Sequence, residues 1–501
     1  MNKQHKRQRE LRTRIFIYGI MILAVLGIVT VMILLMVGYR FNRSTGSVEQ
    51  TGVAQLGSQP TGANIEIDGI QIAKKTNSKI SLYEGDHEFV MWQEGYETWR
   101  KTVPITAGEL TWIDYVRLLP KERTTESVLE LGDASSLSFS PDGRFAIGEV
   151  QQESRYTLQL IDLEDDTAVT SATLDIRSKL SDGLRDNPNV RFNVKEWSQN
   201  GRYVAVNATT DSANEWLLVD REDFEGGTVN VSALINLPIS SMVISGASGR
   251  AVYILQNDGD VRRVTLDDGS ISRPYARDVE QFNLYGENTL TYSTRADDRG
   301  VIQAGIIAGE DADAVVLHEF NKDEAPVRIQ AAEYYRKDYV TITSGNEMRV
   351  YEGEYPRSAL AARSEKGELA AFPTVHALTL PFAVEWLQFS NNGRFIIFQN
   401  KDGFMSYDLE LDRLSETANF NEPVNGAVEW IDSYMLWNVS NGQLYVREFD
   451  GANVHALTVA MGNSNEAEFD ASLSRSEDYI YSVADGESGR VLQRTSLLVE
   501  E

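Results

Sequence analysis

The sequence predicts an all-β chain behind one N-terminal membrane-spanning helix, and three observations carry that expectation. Ile15–Val37 is an uninterrupted uncharged apolar run. A turn-and-strand unit, LSFSPDGRFAIG at Leu137–Gly148, recurs in altered form down to the C-terminus. Between the two lies a shorter stretch whose apolar residues alternate with polar ones and are broken by Asp-Gly and Glu-Gly turns, the pattern of half-buried strands.

In chain order, residues 1–14 read as a basic tail. Lys3, Lys6, Arg7, Arg9, Arg12 and Arg14 stand against Glu10 alone. Ile15–Val37 as a helix would be about 34 Å long, enough for a hydrocarbon core of ~30 Å. Only Arg40 and Arg43 follow closely, so the charge bias predicts a signal anchor with a cytoplasmic N-terminus and an extracytoplasmic remainder. A cleaved signal peptide is the competing reading. Against it, the run is longer than an ordinary signal core and no A-x-A site follows.

Residues 38–54, rich in Ser, Thr, Gly and Gln, read as a spacer. Residues 55–119 then hold Ser58-Gln59-Pro60-Thr61-Gly62-Ala63-Asn64-Ile65-Glu66-Ile67-Asp68-Gly69, a turn, an alternating strand and an Asp-Gly turn. The same logic returns at Gly85-Asp86-His87-Glu88-Phe89 and Glu94-Gly95-Tyr96, and Leu110–Leu118 closes the stretch with an aromatic, β-branched strand. These three spaced elements resemble the PEGA domain, a small β-sandwich-like module of surface proteins. The resemblance implies a cell-envelope location and a spacer or adhesive role without catalysis. His87, on a strand of that motif, reads as a packing or hydrogen-bonding residue.

After a linker at 120–126, residues 127–501 carry the repeats. Relatives of the founding unit stand at Glu196–Val206, Met242–Leu255, Glu385–Phe398, Glu429–Trp437 and Ala471–Val483. Two weaker ones, near Phe282 and Gln330, lack the glycine turn. In SPDG the proline presets φ, the aspartate bonds nearby backbone and Gly143 takes the positive φ of a tight turn. Strand-only repeats averaging about 47 residues predict a β-propeller of seven or eight blades, eight favoured. Ser127–Leu131 precedes the first repeat and is expected to complete the last blade, removing an open edge. The SPDG-type turns resemble TolB-type and WD-repeat-like propellers, although regular G-H and W-D pairs are missing. That resemblance implies fold and leaves function open.

Charge and motifs bound the function. The net charge of −27 argues against a nucleic-acid partner. With no cysteine, disulfides, thiol catalysis and a lipoprotein anchor are excluded. No nucleophile-elbow, zincin, P-loop or dinucleotide motif occurs, so no catalytic, cofactor-binding or metal residue is assigned and no cofactor is expected. His5, His87, His318, His376 and His455 are scattered. The last three fall in different repeats and could meet only on a propeller axis. The acidic runs Leu163–Asp166 and Val264–Gly269 lack a calcium ladder and read as hairpin turns. The pairs Glu196-Trp197, Glu385-Trp386 and Glu429-Trp430 read as one repeated register, with the tryptophans packed between blades rather than stacked on a glycan. Gly353–Pro381 reads as an insertion able to carry partner contacts. The expected role is therefore membrane-anchored binding or scaffolding of a protein or cell-wall glycan. A propeller enzyme acting on polysaccharide or peptide is the alternative, and docking on an envelope complex a third reading.

Overall fold

The computed structural model describes residues 2–42, 46–152, 154–165, 168–286, 288–308, 314–321, 326–353, 373–424, 426–462 and 468–499. The expected insertion at Gly353–Pro381 lies largely outside them. The chain divides into two compact units, one running to Glu122 and taking back Leu498 and Val499, the other Arg123–Leu497.

In the first unit, helix α1 (Asn2–Met36) contains the apolar stretch Phe16–Met36, with a mean hydropathy of 2.9 and none of its surface buried. It is long and apolar enough to cross a membrane. It stops at Gly38, whose φ of 93° is a left-handed conformation that L side chains rarely adopt. Residues 38–54 are not a spacer. Tyr39–Asn42 pairs with Ser47–Gln59, which also pairs antiparallel with Ser78–Tyr83 and parallel with Leu110–Arg117. The glycine content misled. A Cβ on Gly52 would lie 2.3 Å from the Thr106 carbonyl oxygen, so that glycine is there for close packing and not for flexibility. A second sheet orders Ile70–Lys75, Asn64–Ile67, Gly85–Trp92 and Trp99–Ile105. Leu56, Ile113 and Val116 from one sheet meet Ile65, Phe89, Met91 and Trp99 from the other in one core, a small sandwich.

The second unit is built of sheets taken up in chain order, antiparallel but for the short strand Glu468–Phe469, which pairs parallel with Thr125–Phe139. Among the described residues, six sheets of three to five strands start at Arg191, Ile239, Val279, Val327, Trp386 and Glu429. A further sheet of eight strands is organised around Thr125–Phe139. The first half of that strand, holding Ser127–Leu131, pairs with Arg490–Ser496, and the second half pairs with Phe145–Gln152. Thr125 and Glu126, expected in a linker, therefore belong to this strand, and Leu498 and Val499 belong to the first unit. The two weaker repeats form sheets as well, and the one at Phe282 does have a turn glycine, Gly286 at φ of 66°. Tyr335 and Arg336 make their turn at φ of 47° and 65° without glycine.

The recurring turn is one hydrogen-bonded device. Ser140 Oγ accepts from Phe145 N at 2.9 Å and donates to Asp142 at 2.6 Å. Ser198 does the same with Tyr203 and Asn200, and Ser390 with Phe395 and Asn392. The arginine after each turn glycine pairs back to acidic residues at the end of the third strand: Arg202 to Asp220 at 2.6 Å, Arg394 to Asp408 at 2.7 Å, Arg144 to Glu164 at 2.5 Å.

Apolar faces are shared between consecutive sheets. Phe145 and Leu158 pack with Phe192 and Val204, Ala205 and Leu218 with Met242 and Ile254, and Ile397 and Phe404 with Val428 and Leu436. Leu137 and Ile161 pack in the same way with Tyr481 and Leu492, which lie at opposite ends of the sequence. No sheet here could bury both faces alone.

Candidate functional site

The first strands of three sheets send polar side chains to the next sheet. Ile244 N donates to Glu196 at 2.8 Å, and Asn283 Nδ2 donates to the Ile329 carbonyl at 2.9 Å. Gln281 and Gln388 donate to the carbonyls of Val327 and Val428. These clasps satisfy strand-edge backbone that packing would otherwise leave unpaired.

Where acids replace amides, the clasp becomes titratable. Burial pushes the Glu196 carboxyl up to about 7, against the single lowering hydrogen bond from Ile244. At the corresponding place before the next turn, Glu429 is raised by burial and then by the charges of Asp470 and Glu468. Asp470 is also raised, burial outweighing the hydrogen bonds it receives from Ser138 and Phe139 N. Glu429, Asp470 and Glu468 thus gather near the first strands of the last two sheets. Two interacting carboxyls held protonated toward neutral pH are a proton donor and acceptor set.

The same pair of sheets borders a half-open cleft of about 510 Å³ lined by Pro423, the Ser440-Asn441-Gly442 turn, Val459–Gly462, Ala484 and Asp485, and by none of these three acids, a volume suited to a small ligand or a side chain of a partner. Its walls are fixed across the seam. Met461 N donates to Val483 O at 2.7 Å, Ala460 N to Gly442 O at 3.0 Å, and Ser440 Oγ to Pro423 O at 2.9 Å. Apolar Val439, Val459 and Met461 alternate with Asn441 and Asp485, so the cavity offers both contact area and polar groups.

The scattered histidines are not brought together. His87 bonds Asp68 through Nδ1 at 2.6 Å and the Tyr83 carbonyl through Nε2 at 2.9 Å, inside the first unit. His318, His376 and His455 sit on the edge strands of three different sheets. His376 lies 3.3 Å from Asp412 and tilts on Tyr407. His5 is on α1. Among the described residues no three His, Asp or Glu side chains are placed to hold a metal ion. Glu164 pairs with Arg144, and Asp268 accepts from Ser270 N in a hairpin turn. Asp166 lies outside the described residues.

The three Glu-Trp pairs do not share a register. Trp197 pairs with Val204 and Trp430 with Leu436, each next to its turn. Trp386 pairs with Gln399, and Phe389 takes the place beside the turn. Trp197 is a core residue between two sheets and Trp430 stacks on Phe395, whereas Trp386 is half-buried. Sequence reasoning weighed these tryptophans and passed over the glutamates before them. Their signal was a carboxylate inside an apolar run.

Residues 51–120 match the PEGA domain family. No curated protein matches the chain. Among solved structures, the chain is similar to the β-propeller domain of Myceliophteria thermophila Cps50 (Swd1), with 13% identity over 67% of this chain and 99% of that one at a TM-score of 0.41. An oligogalacturonate lyase in complex with manganese shows 11% identity over 74% and 99%, TM-score 0.41. The oligogalacturonate lyase of Vibrio parahaemolyticus shows 12% identity over 74% and 99%, TM-score 0.37.

Proposed function

We propose that this chain is a membrane-anchored extracytoplasmic binding protein. In this reading α1 holds the N-terminus in the cytoplasm and the PEGA module stands at the outer membrane surface. The second unit closes as an eight-bladed propeller that takes a protein or cell-wall glycan partner at the seam of its last two blades. The observation that carries it is the fully exposed apolar stretch Phe16–Met36 leading directly into a module of the PEGA family. Closure is supported by Thr125–Phe139, which pairs with strands from both ends of the unit. The partner site is supported by the cavity at Ser440–Gly442 and Val459–Gly462.

A propeller enzyme acting on polysaccharide or peptide is the second reading. Glu429 and Asp470 favour it, because a pair of carboxyls with raised pKa is the equipment of general acid catalysis.

The absence of cysteine makes the test direct. Single cysteines at exposed positions of the second unit should react with a membrane-impermeant maleimide on intact cells, and protection until lysis would overturn the topology. Detergent-solubilised full-length protein is then offered cell-wall glycan and membrane-protein extract in separate arms. Retention in one arm that is lost when the cavity is filled by Gly462→Trp supports the binding reading. Retention in neither, together with cleavage of glycan or peptide abolished by Glu429→Gln, would replace it with the enzymatic one.

A further inference from the structure

The junction between α1 and the first sheet has an unusual construction. There is no linker. Val37 N still donates to Ile33 O as the last bond of the helix, and the Gly38 carbonyl already accepts from Thr51 N at 3.0 Å and from Thr51 Oγ1 at 2.9 Å. Gln50 Nε2 donates to the Val37 carbonyl at 3.1 Å, and Tyr83 Oη reaches the Phe41 carbonyl at 3.3 Å. The strand pair Tyr39–Asn42 and Ser47–Gln50 is thus bonded on one side to the helix end and on the other to the sandwich.

That pair is amphipathic in the sense of a sheet. Phe41 is directly opposite Val48, and Tyr39 opposite Gln50. Since directly opposed residues share a face and alternate residues lie on the same side, Tyr39, Phe41 and Val48 share one face with Gln50, whose amide is spent on the Val37 carbonyl. Arg40 and Glu49, also opposed, form the other. Phe41 and Val48 leave 61% and 62% of their surface uncovered, although a soluble sheet would turn such residues toward a core. The apolar stretch Phe16–Met36 is about 31 Å long as a helix, matching a hydrocarbon core of ~30 Å. The pair therefore begins where lipid gives way to water. Phe41 lies within about 18 Å of Met36 along the chain at full extension, and aromatic rings are favoured in that zone.

We propose that this strand pair is a membrane-interface element. Its face of Tyr39, Phe41 and Val48 rests in the boundary between headgroups and acyl chains and fixes the orientation of the sandwich on the bilayer, while Arg40 and Glu49 face water and headgroups. The occupant of this apolar face is lipid, by continuity with the span two residues away. The inference rests on the reading of α1 as a membrane span.

The test uses the full chain, free of native cysteine, reconstituted in vesicles of phosphatidylcholine and phosphatidylglycerol. Phe41→Cys, Val48→Cys, Glu49→Cys and Leu26→Cys are each labelled with an environment-sensitive fluorophore and challenged with lipids spin-labelled near the headgroup or deep in the acyl chain. The expected result is blue-shifted emission at 41 and 48, quenched several times more strongly by the shallow label than at 49, with 26 quenched by the deep label. If 41 and 48 match 49 while 26 is quenched, the interface element is wrong and the span stands. If 26 is not quenched at all, the span and the element fall together.

Discussion

Two seams of the second unit are made from the same kind of strand and hold their carboxylates in opposite ways. Between the sheets of Phe145–Asp162 and Arg191–Asp220, Glu149 is 3% exposed and fully engaged. It takes Arg191 Nη2 at 2.7 Å, Phe192 N at 2.6 Å and the Ser135 hydroxyl. Between the last two sheets, Glu429 is set against the charges of Asp470 and Glu468. A carboxylate answered by a guanidinium and an amide is part of the fastening. One set against other acids costs stability, and a site that costs stability is where function is sought.

The sharpest break of this comparison is to remove both acids in turn. Glu149→Ala strips a half-exposed guanidinium and a buried amide of their acceptor, and should destabilise by about 2–4 kcal/mol. Glu429→Gln removes a charge with no cation, and should be neutral or stabilising near pH 8. Calorimetry of the full-length protein in detergent reads both as shifts of the second unit's transition. Equal losses at the two positions would show that the seams are fastened alike.

A second contrast sets the tryptophans apart. Trp197→Ala opens the core between the first two seam partners, with an expected loss of about 3–5 kcal/mol. Trp386→Ala removes a half-buried ring three residues from the turn-adjacent position, and about 1–2 kcal/mol is expected. If Trp386 proves as costly as Trp197, it has a packing role that its register does not account for.

The turns give a smaller contrast. Gly393 has φ of 74° and a Cβ there would lie 2.1 Å from the Glu333 carbonyl oxygen of the preceding sheet. Gly442 has φ of 70° with open space around it. Gly393→Ala should cost about 2–3 kcal/mol through combined strain and clash, Gly442→Ala about 1 kcal/mol through strain alone. Chemical denaturation midpoints compare them directly.

Much of this architecture was legible because it is local. The Ser-x-Asx-Gly turn carries its own hydrogen bonds within five residues, so each repeat announced its first two strands wherever the glycine survived. Tyr335-Arg336 shows the limit, since side-chain identity did not reveal a turn made without glycine. The strand structure of residues 39–54 was missed because Gly52 looks the same in a linker and under a neighbouring backbone, and only the partner at Thr106 distinguishes them. The false register of Trp386 was open to correction from sequence. Counting back from Ser390 places Phe389, not Trp386, where Trp197 stands before Ser198. The acid cluster was not legible, because Glu429 and Asp470 are about forty residues apart and meet only through the stacking of two sheets.

The finest test of the comparison is the pH dependence of stability. Glu196 has a carboxyl raised to about 7 from 4.5, and Glu429 and Asp470 shift in the same direction. A raised acid pKa means that the folded state keeps its proton where the unfolded chain has released it. Between about pH 4.5 and 7 the unfolded state therefore binds fewer protons, and stability must fall as pH rises. The contribution is complete below the unfolded value and is lost on passing the folded one. The unfolding midpoint should decline from pH 5 to 8, and part of the slope should vanish in Glu196→Gln and a further part in Glu429→Gln. Self-repulsion in a chain of net charge −27 adds a decline of its own, but that background stays when a single carboxyl is neutralised. A slope unchanged in both variants would place these acids in water, and the last seam would then hold no carboxylate at a cost, unlike the buried and bonded Glu149.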